Sequence, residues 1–460
     1  MLGVRFSLLG ALLVALGVFA TSSSGAATGP PLRAQAVGSR ARTPRRPIAL
    51  GATTGAPRTI VTDPVGLSVE YSVLAADLGS AGCPPPELVS TIEGLGVPTI
   101  RIGGDSGDQT APPGTPPFAG VTDLPASFWS QLACLESQTQ EPFVIGLNLA
   151  SQMPAWAATM AAGARSAVPA SLLSFEIGNE ADIDGPSTAW WNATAEAKSL
   201  LPFPTYLDDA QAVAGQLGPG TDIEGPDFAT PRWTSEIPQI ATALSLHTID
   251  AHFYPLNACT GLRQATVAAL LARGAAEPGG AILATLAQAE LVHLPMVISE
   301  SNSVACRGKP GVSDSPAAAV WGLRLVINMI MSGIESVRFH SSGSSYDPFV
   351  VSGDTVVTRP LYLGLKAAVQ LLPVGATLTA LSTPKALSGV VVSSPSGHTS
   401  FIVTNYASSA QRVTVRAATS ATLLSVEPSG SVLTAQPIDP RDGKLTVSVA
   451  PNTVVAITLG

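Results

Sequence analysis

The chain has 460 residues, of which 46% are apolar and only 12% charged, with a formal net charge of −8. That composition describes a core-rich globular protein, either two or three domains or one large α/β barrel with an appendage. The acidic balance argues against a nucleic-acid partner, because the basic stretch "RARTPRR" (Arg40 to Arg46) lies among Pro and Gly and reads as linker.

In chain order, the start "MLGVRFSLLGALLVALGVFATSSSGAATG" carries Arg5, an apolar run from Leu8 to Ala20, and then small residues. This is the pattern of a secretory signal over residues 1–27, cleaved near Ala26. The run is short of the roughly 20 residues that span a membrane, so an uncleaved signal anchor is the alternative and no other membrane contact is expected. The expected location is secreted or cell envelope. Residues 28–58 lack periodicity and read as a disordered linker.

From residue 59 a unit repeats: a short β-rich run, a glycine or polar loop, then an Ala/Leu-rich helical stretch. The predicted strands are "GLSVEYS" (66–72), "PTIRIGG" (98–104), "PFVIGLNL" (142–149), "LSFEIGN" (173–179), "TDIEGPD" (221–227), "TIDAHFYP" (248–255), "PMVISE" (295–300) and "ESVRFHSS" (335–342). Helices are predicted between them, among others over Pro86–Gly94, Pro204–Leu217, Val267–Arg273, Gly280–Leu291 and Ala317–Met331. Eight strands alternating with helices predict a (β/α)8 TIM barrel over residues 59–363. Residues 364–460 change to short alternating runs with Ser, Gly and Pro turns, an all-β sandwich domain that a strand from 59–65 is expected to join.

The four cysteines, Cys83, Cys134, Cys259 and Cys306, match no zinc spacing. In an exported chain they read as two disulfides, with buried free thiols as the alternative. Five histidines scattered over the chain form no metal cluster in the sequence, so no metal is expected. No G-x-S-x-G elbow supports a serine hydrolase. Trp156, Trp190, Trp191 and Trp233 are core residues or sugar-stacking platforms, and "NAT" at Asn192 is a glycosylation sequon.

Function in such barrels sits at the C-terminal strand ends. There the chain places Arg101 and Asp105, Asn148, Asn179 with Glu180, His252 with Tyr254, Glu300 with Asn302, and His340. Two carboxyls on one rim are what glycoside cleavage requires, one protonated to donate to the leaving oxygen and one ionised to attack or to activate water. The bland alternative is a structural ion pair between Arg101 and either glutamate.

"FEIGNEAD", "VISESNSVACRGKPGVSD" and "VRFHSSGSSYDPF", in that order, resemble glycoside hydrolase family 79, the group of β-glucuronidases and heparanase. The resemblance runs from about Gly66 to the C-terminus. It implies a retaining, cofactor-free hydrolase whose partner is a carbohydrate substrate. By the resemblance Glu180 is the acid/base and Glu300 the nucleophile, with Asn179 on a neighbouring sugar hydroxyl and Tyr254 orienting the nucleophile. It also implies that Asp105, Asn148 and His252 line the sugar subsite and that Tyr346 meets a uronic acid carboxylate.

Two departures bear on specificity. The family's Tyr-Gly-Gly segment after the nucleophile is here Ala305-Cys306-Arg307-Gly308, so Arg307 either reads the carboxylate as a cation or points to solvent. Asp105 stands where the family usually has Asn. The favoured disulfides are Cys83–Cys134 and Cys259–Cys306, the latter because the loops after strands six and seven are neighbours on the rim. The expected substrate is a β-linked glucuronic acid or relative; a neutral-sugar β-glycosidase and a non-catalytic glycan-binding protein are the alternatives.

Overall fold

A computed structural model of the chain describes residues 46–79, 82–116, 121–183, 200–259, 264–430 and 435–460. The signal segment, most of the linker, Trp190, Trp191 and Asn192 lie outside the described residues.

Eight parallel strands close into a barrel: β1 (Val65–Glu70), β2 (Ile100–Gly103), β3 (Phe143–Leu147), β4 (Leu172–Ile177), β5 (Ile223–Gly225), β6 (Leu246–Phe253), β7 (Met296–Ser301) and β8 (Val337–Ser341). Closure is the pairing of β8 with β1 from Val337↔Val65 to Ser341↔Val69. Strands such as β1, β3 and β7 are buried along their whole length. They read as continuous buried runs because helices cover one face and barrel side chains fill the other.

Several helices start with Pro in the first turn, among them Pro86–Glu93, Pro154–Ala167, Phe203–Leu217, Pro316–Ser332 and Pro360–Leu371. Proline is tolerated there because the first N–H groups have no intrahelical acceptor. Pro316–Ser332 and Pro360–Leu371 approach closely at Gly364, where any side chain would run into the Ala319 backbone. The barrel's last helix therefore extends past residue 363, and the β domain begins at Thr377 rather than at 364.

That domain is a sandwich. A seven-stranded sheet (Thr53–Thr59, Thr377–Leu381, Leu387–Ser393, Thr399–Asn405, Val454–Leu459, Ala421–Val426, Gln436–Ile438) faces a three-stranded one (Ile48–Ala49, Gln411–Arg416, Lys444–Val449). The two-residue period of the strands splits their apolar side chains. Val403, Val455 and Ile457 join Val413 and Val449 in the sandwich core, whereas Ile402, Val454 and Ala456 pack into the core shared with the barrel.

The linker expectation fails between Ile48 and Thr59, and the joining strand is Thr53–Thr59 rather than 59–65. "TTGAPRT" is exposed throughout, without apolar alternation to betray a strand. It is an edge strand held by backbone pairing to Thr377–Leu381, which is also why Pro57 is tolerated. Both disulfides form as expected, with Cα–Cα distances of 5.4 Å for Cys83–Cys134 and 5.6 Å for Cys259–Cys306.

Candidate active site

The turn after β4 begins at Gly178 (φ 83°) and brings Glu180 into the left-handed region (φ 51°). The Glu180 N–H donates to the Asp227 carbonyl at 2.9 Å. Asp182 fixes the same turn from the other side, accepting from the Ala229 and Thr230 N–H groups at 3.0 and 2.8 Å. The polar cluster that ends β4 is thus one outward carboxylate, Glu180, on a turn anchored by a fully buried one, Asp182.

At the centre lies Arg101, fully buried. Its Nε donates to Glu176 at 2.6 Å, Nη1 to Glu300 at 2.8 Å and Ser68 at 3.1 Å, and Nη2 to Asp227 at 2.6 Å and Asn179 at 3.0 Å. Glu300 takes a second hydrogen bond from the Tyr254 hydroxyl at 2.7 Å. Burial by itself would raise the Glu300 carboxyl, but His340, His252 and Arg101, together with the Tyr254 hydrogen bond, hold it at about 2. Burial and the Glu300 charge keep Tyr254 protonated far above its ordinary range, so it remains a donor. Arg101 therefore does form the ion pair that the bland reading invoked, with Glu300 and not with Glu180. The pair leaves Glu300 charged at the cavity wall, the state a nucleophile needs.

His252 stands between Glu180 and Asp227, with Nδ1 2.8 Å from Glu180 Oε1 and Nε2 2.8 Å from Asp227 Oδ1. Burial opposes its charge, yet Glu300 and Asp227 raise its pKa well above the usual value. As an imidazolium it donates to Glu180 Oε1 and to Asp227 Oδ1. Burial also opposes ionisation of Asp227, and Arg101 and His252 outweigh it, holding Asp227 well below the carboxylate range. Carboxylate oxygens of Glu180 and Glu300 lie within 4.8 Å of each other. The same two glutamates and His252 also stand close enough to share a cation, but Arg101 and a protonated His252 already balance the carboxylates there.

These groups border a cavity of about 650 Å³ lined by Glu70, Asp105, Glu180, His252, Tyr254, Glu300, Arg307, His340 and Tyr346. Tyr346 is 3% exposed, and its hydroxyl accepts from Ser342 Oγ at 2.9 Å. Arg307 is exposed at the mouth, its Nη2 donating to the Ser342 and Gly343 carbonyls at 3.2 and 3.4 Å. It lines the cavity and is open to solvent at the same time.

Asn179 is buried between Arg101 and Asp105, with Nδ2 3.3 Å from Asp105 Oδ1. Asn148 does not reach the cavity. Its amide donates to the Asp108 and Thr110 carbonyls and accepts from the Ser151 N–H, so it builds the loop after β3. Trp233 stacks on Tyr206 at 5.2 Å and is 4% exposed, a core residue.

The sequence reading passed over the ends of β1 and β5, and both carry site residues. Glu70 faces the cavity and approaches His340 Nε2 at 3.2 Å, while Asp227 binds Arg101 and His252. Their signal was position alone, an acid at the C-terminal end of a barrel strand. Gly104 (φ 72°) makes room for Glu70: a Cβ there would stand 2.7 Å from its carboxyl carbon.

Asp105 is the acid with an unusual state. Burial in the cavity wall, then Glu70, Glu300 and Glu180, raise its pKa to about 7, with His340 opposing. Burial and the neighbouring acids act in the same direction, both opposing a charge on Asp105. Below that pH it is a neutral hydrogen-bond donor, as an Asn would be. Activity is expected to fall as pH rises through 7 and Asp105 ionises beside Glu180 and Glu300, and Asp105→Asn is expected to remove that limb. A pH series of kcat/KM on both proteins checks this; superimposable alkaline limbs would remove Asp105 from the account.

Cys306, Arg307 and Gly308 are three successive left-handed residues (φ 65°, 67° and 75°). Left-handed backbone is disfavoured for residues with a Cβ, and the Cys259 bridge ties this turn to the loop after β6. Cys306→Ser is therefore expected to release Arg307 and raise KM about tenfold, the worth of one charged hydrogen bond, with kcat little changed. Steady-state kinetics decide it; an unchanged KM would mean that Arg307 does not bind substrate.

No protein-family model matches the chain, and no curated protein does. Solved structures do match. A 4-O-α-L-rhamnosyl-β-D-glucuronidase from Fusarium oxysporum 12S is 18% identical over 90% of this chain and all of its own, with a TM-score of 0.69. The GH51 arabinofuranosidase of Xanthomonas axonopodis pv. citri is 14% identical over 90% and 99% of the two chains (TM-score 0.62). The GH39 enzyme of the same organism is 15% identical over 92% and 99% (TM-score 0.59). At such identities the likeness is one of fold, and this chain has the (β/α)8-barrel architecture of those glycoside hydrolase structures, with a β domain appended.

Proposed function

We propose that the protein is an exported retaining glycoside hydrolase that removes a β-linked glucuronic acid, or a close relative, from a glycan or glycoconjugate. The observation that carries this is the unequal pair at the cavity wall. Glu300 is held ionised by Arg101 and Tyr254, while Glu180 has Oε1 on His252 and its Oε2 accepts no bond from the described residues. An oxygen of each lies within 4.8 Å of the other, which is compatible with the separation of about 5–5.5 Å between carboxyl groups that a retaining mechanism uses.

In the first step Glu300 bonds to the sugar C1 as the C1–O bond breaks, and the leaving oxygen takes the proton of Glu180. In the second, Glu180 accepts a proton from water, the water oxygen bonds to C1, and Glu300 leaves as carboxylate. Arg307 and the Tyr346 hydroxyl are assigned to the sugar carboxylate, Asn179 to a hydroxyl next to C1, and His252 and Asp105 to the subsite around them.

One observation favours a neutral sugar instead. Glu70, Asp105, Glu180 and Glu300 all line the cavity, so a uronate enters an acidic surrounding. Hydrolysis of a panel of nitrophenyl β-glycosides separates the two, with Glu300→Ala as blank. Release from the glucuronide alone supports the first reading, and release from neutral sugars alone replaces it. Silence across the panel together with glycan binding would mean a binding protein. Export is supported by the two disulfides, which persist in oxidising compartments; cell fractionation tests it. Among the described residues no helix is long and apolar enough to cross a membrane.

A further inference from the structure

A second polar cavity lies away from the barrel mouth, where the helix Pro316–Ser332 meets the sandwich. It holds about 230 Å³ and is lined by Arg273, Arg324, Asn328, Ser388, Thr404 and Tyr406 among others. Arg324 is 1% exposed. Its Nη1 donates to the Leu271 carbonyl at 2.9 Å, and its Nη2 to those of Ala272 and Arg273 at 3.1 and 3.4 Å. These bonds cap the helix Val267–Leu271 and account for the two terminal nitrogens. They do not account for Nε, which is buried without a hydrogen-bond partner.

They do not account for the charges either. Among the described residues no carboxylate hydrogen-bonds Arg324, and the nearby Glu277 is held by Arg273 at 2.9 Å. The fold instead brings a second cation alongside. The guanidinium carbons of Arg324 and Arg273 stand 4.4 and 5.0 Å from the centroid of the same Tyr406 ring. Burial lowers the Arg324 pKa and Arg273 adds to the fall, against Tyr406 and Glu277. A buried cation with a spare donor and a like-charged neighbour is costly until a counter-charge reaches it. The Thr404 hydroxyl lines the cavity from the sandwich side, beside that of Ser388, which donates to the Tyr406 hydroxyl at a long 3.5 Å and can turn to a closer acceptor; Arg273, with 45% of its side chain exposed, leaves the site open to solvent.

We propose that this cavity binds a small oxyanion of sulfate or phosphate size, held by Arg324 Nε and the Arg273 guanidinium from the barrel and by Ser388 and Thr404 from the sandwich. The bound ion bridges the two halves of the molecule, so it stabilises the fold without touching the catalytic cavity. The test is calorimetric titration of the full chain with sodium sulfate and, separately, sodium phosphate, against sodium chloride at matched ionic strength, with thermal unfolding alongside. Saturable binding and a rise in Tm are expected with one or both oxyanions and not with chloride. Arg324→Met is expected to weaken binding at least about tenfold, the loss of a charge-assisted hydrogen bond. Because that variant also loses a helix cap, Ser388→Leu is measured beside it; it fills the cavity from the sandwich side and leaves the Arg324–carbonyl bonds alone. No saturable binding by the wild-type protein, or undiminished binding by Ser388→Leu, would overturn the proposal.

Discussion

Glu300→Ala is expected to lower turnover by on the order of 10⁴-fold or more, because it removes the group that forms the glycosyl-enzyme bond. Added azide is expected to restore part of it by attacking C1 in the space the side chain vacates, giving the glycosyl azide of inverted, α configuration. Glu180→Ala is expected to lose less, about 10²–10⁴-fold, and least with a nitrophenol leaving group, which departs without a proton. There azide intercepts the glycosyl-Glu300 ester and gives the β-azide. NMR of the two products assigns the roles, since the anomers differ. Anomers found the other way round would exchange the two residues, and a Glu300→Ala enzyme within tenfold of wild type would falsify the double-displacement scheme.

Arg101→Met is expected to destabilise the fold by about 3–5 kcal/mol, the cost of removing one partner from a buried ion network. Glu176, Asp227 and Glu300 all bond this guanidinium and are nearly or fully buried. Burial, outweighing Arg101, keeps Glu176 protonated well above its ordinary range, so the loss falls on Asp227 and Glu300. Both have depressed pKa values. The stability they contribute through Arg101 is present above the unfolded carboxylate range, near pH 4, and is lost as pH falls toward about 2, where Glu300 takes its proton. The gap between wild type and Arg101→Met in urea-denaturation midpoint is therefore expected to be widest near neutral pH and to narrow in acid. A gap that is small or independent of pH would show that the guanidinium packs without holding charge. Lysine is a poor substitute, because a single ammonium cannot present the planar fork that reaches three carboxyl groups.

The barrel was readable because most of its strands are short apolar runs ending in polar residues, and eight strands separated by helical stretches admit few arrangements. The candidate pair was readable for the same reason. Glu180 and Glu300 each close a run, so any closed parallel barrel puts both on one rim. What stayed hidden was whatever has no local pattern. Thr53–Thr59 carries no apolar alternation, and only the backbone of Thr377–Leu381 makes it a strand. Asn148 has a strand-end position like Asn179, and only the packed loop shows its amide spent on the carbonyls of Asp108 and Thr110.

The sequence by itself determined which residue types stand at the C-terminal rim, and hence that two carboxylates meet there. The tertiary structure alone decided that Glu300 stands ionised. Residues 101, 176, 227, 252 and 300 come together only when the barrel closes. The field each feels is a sum over such distant neighbours, with water excluded, and no short window of sequence contains it.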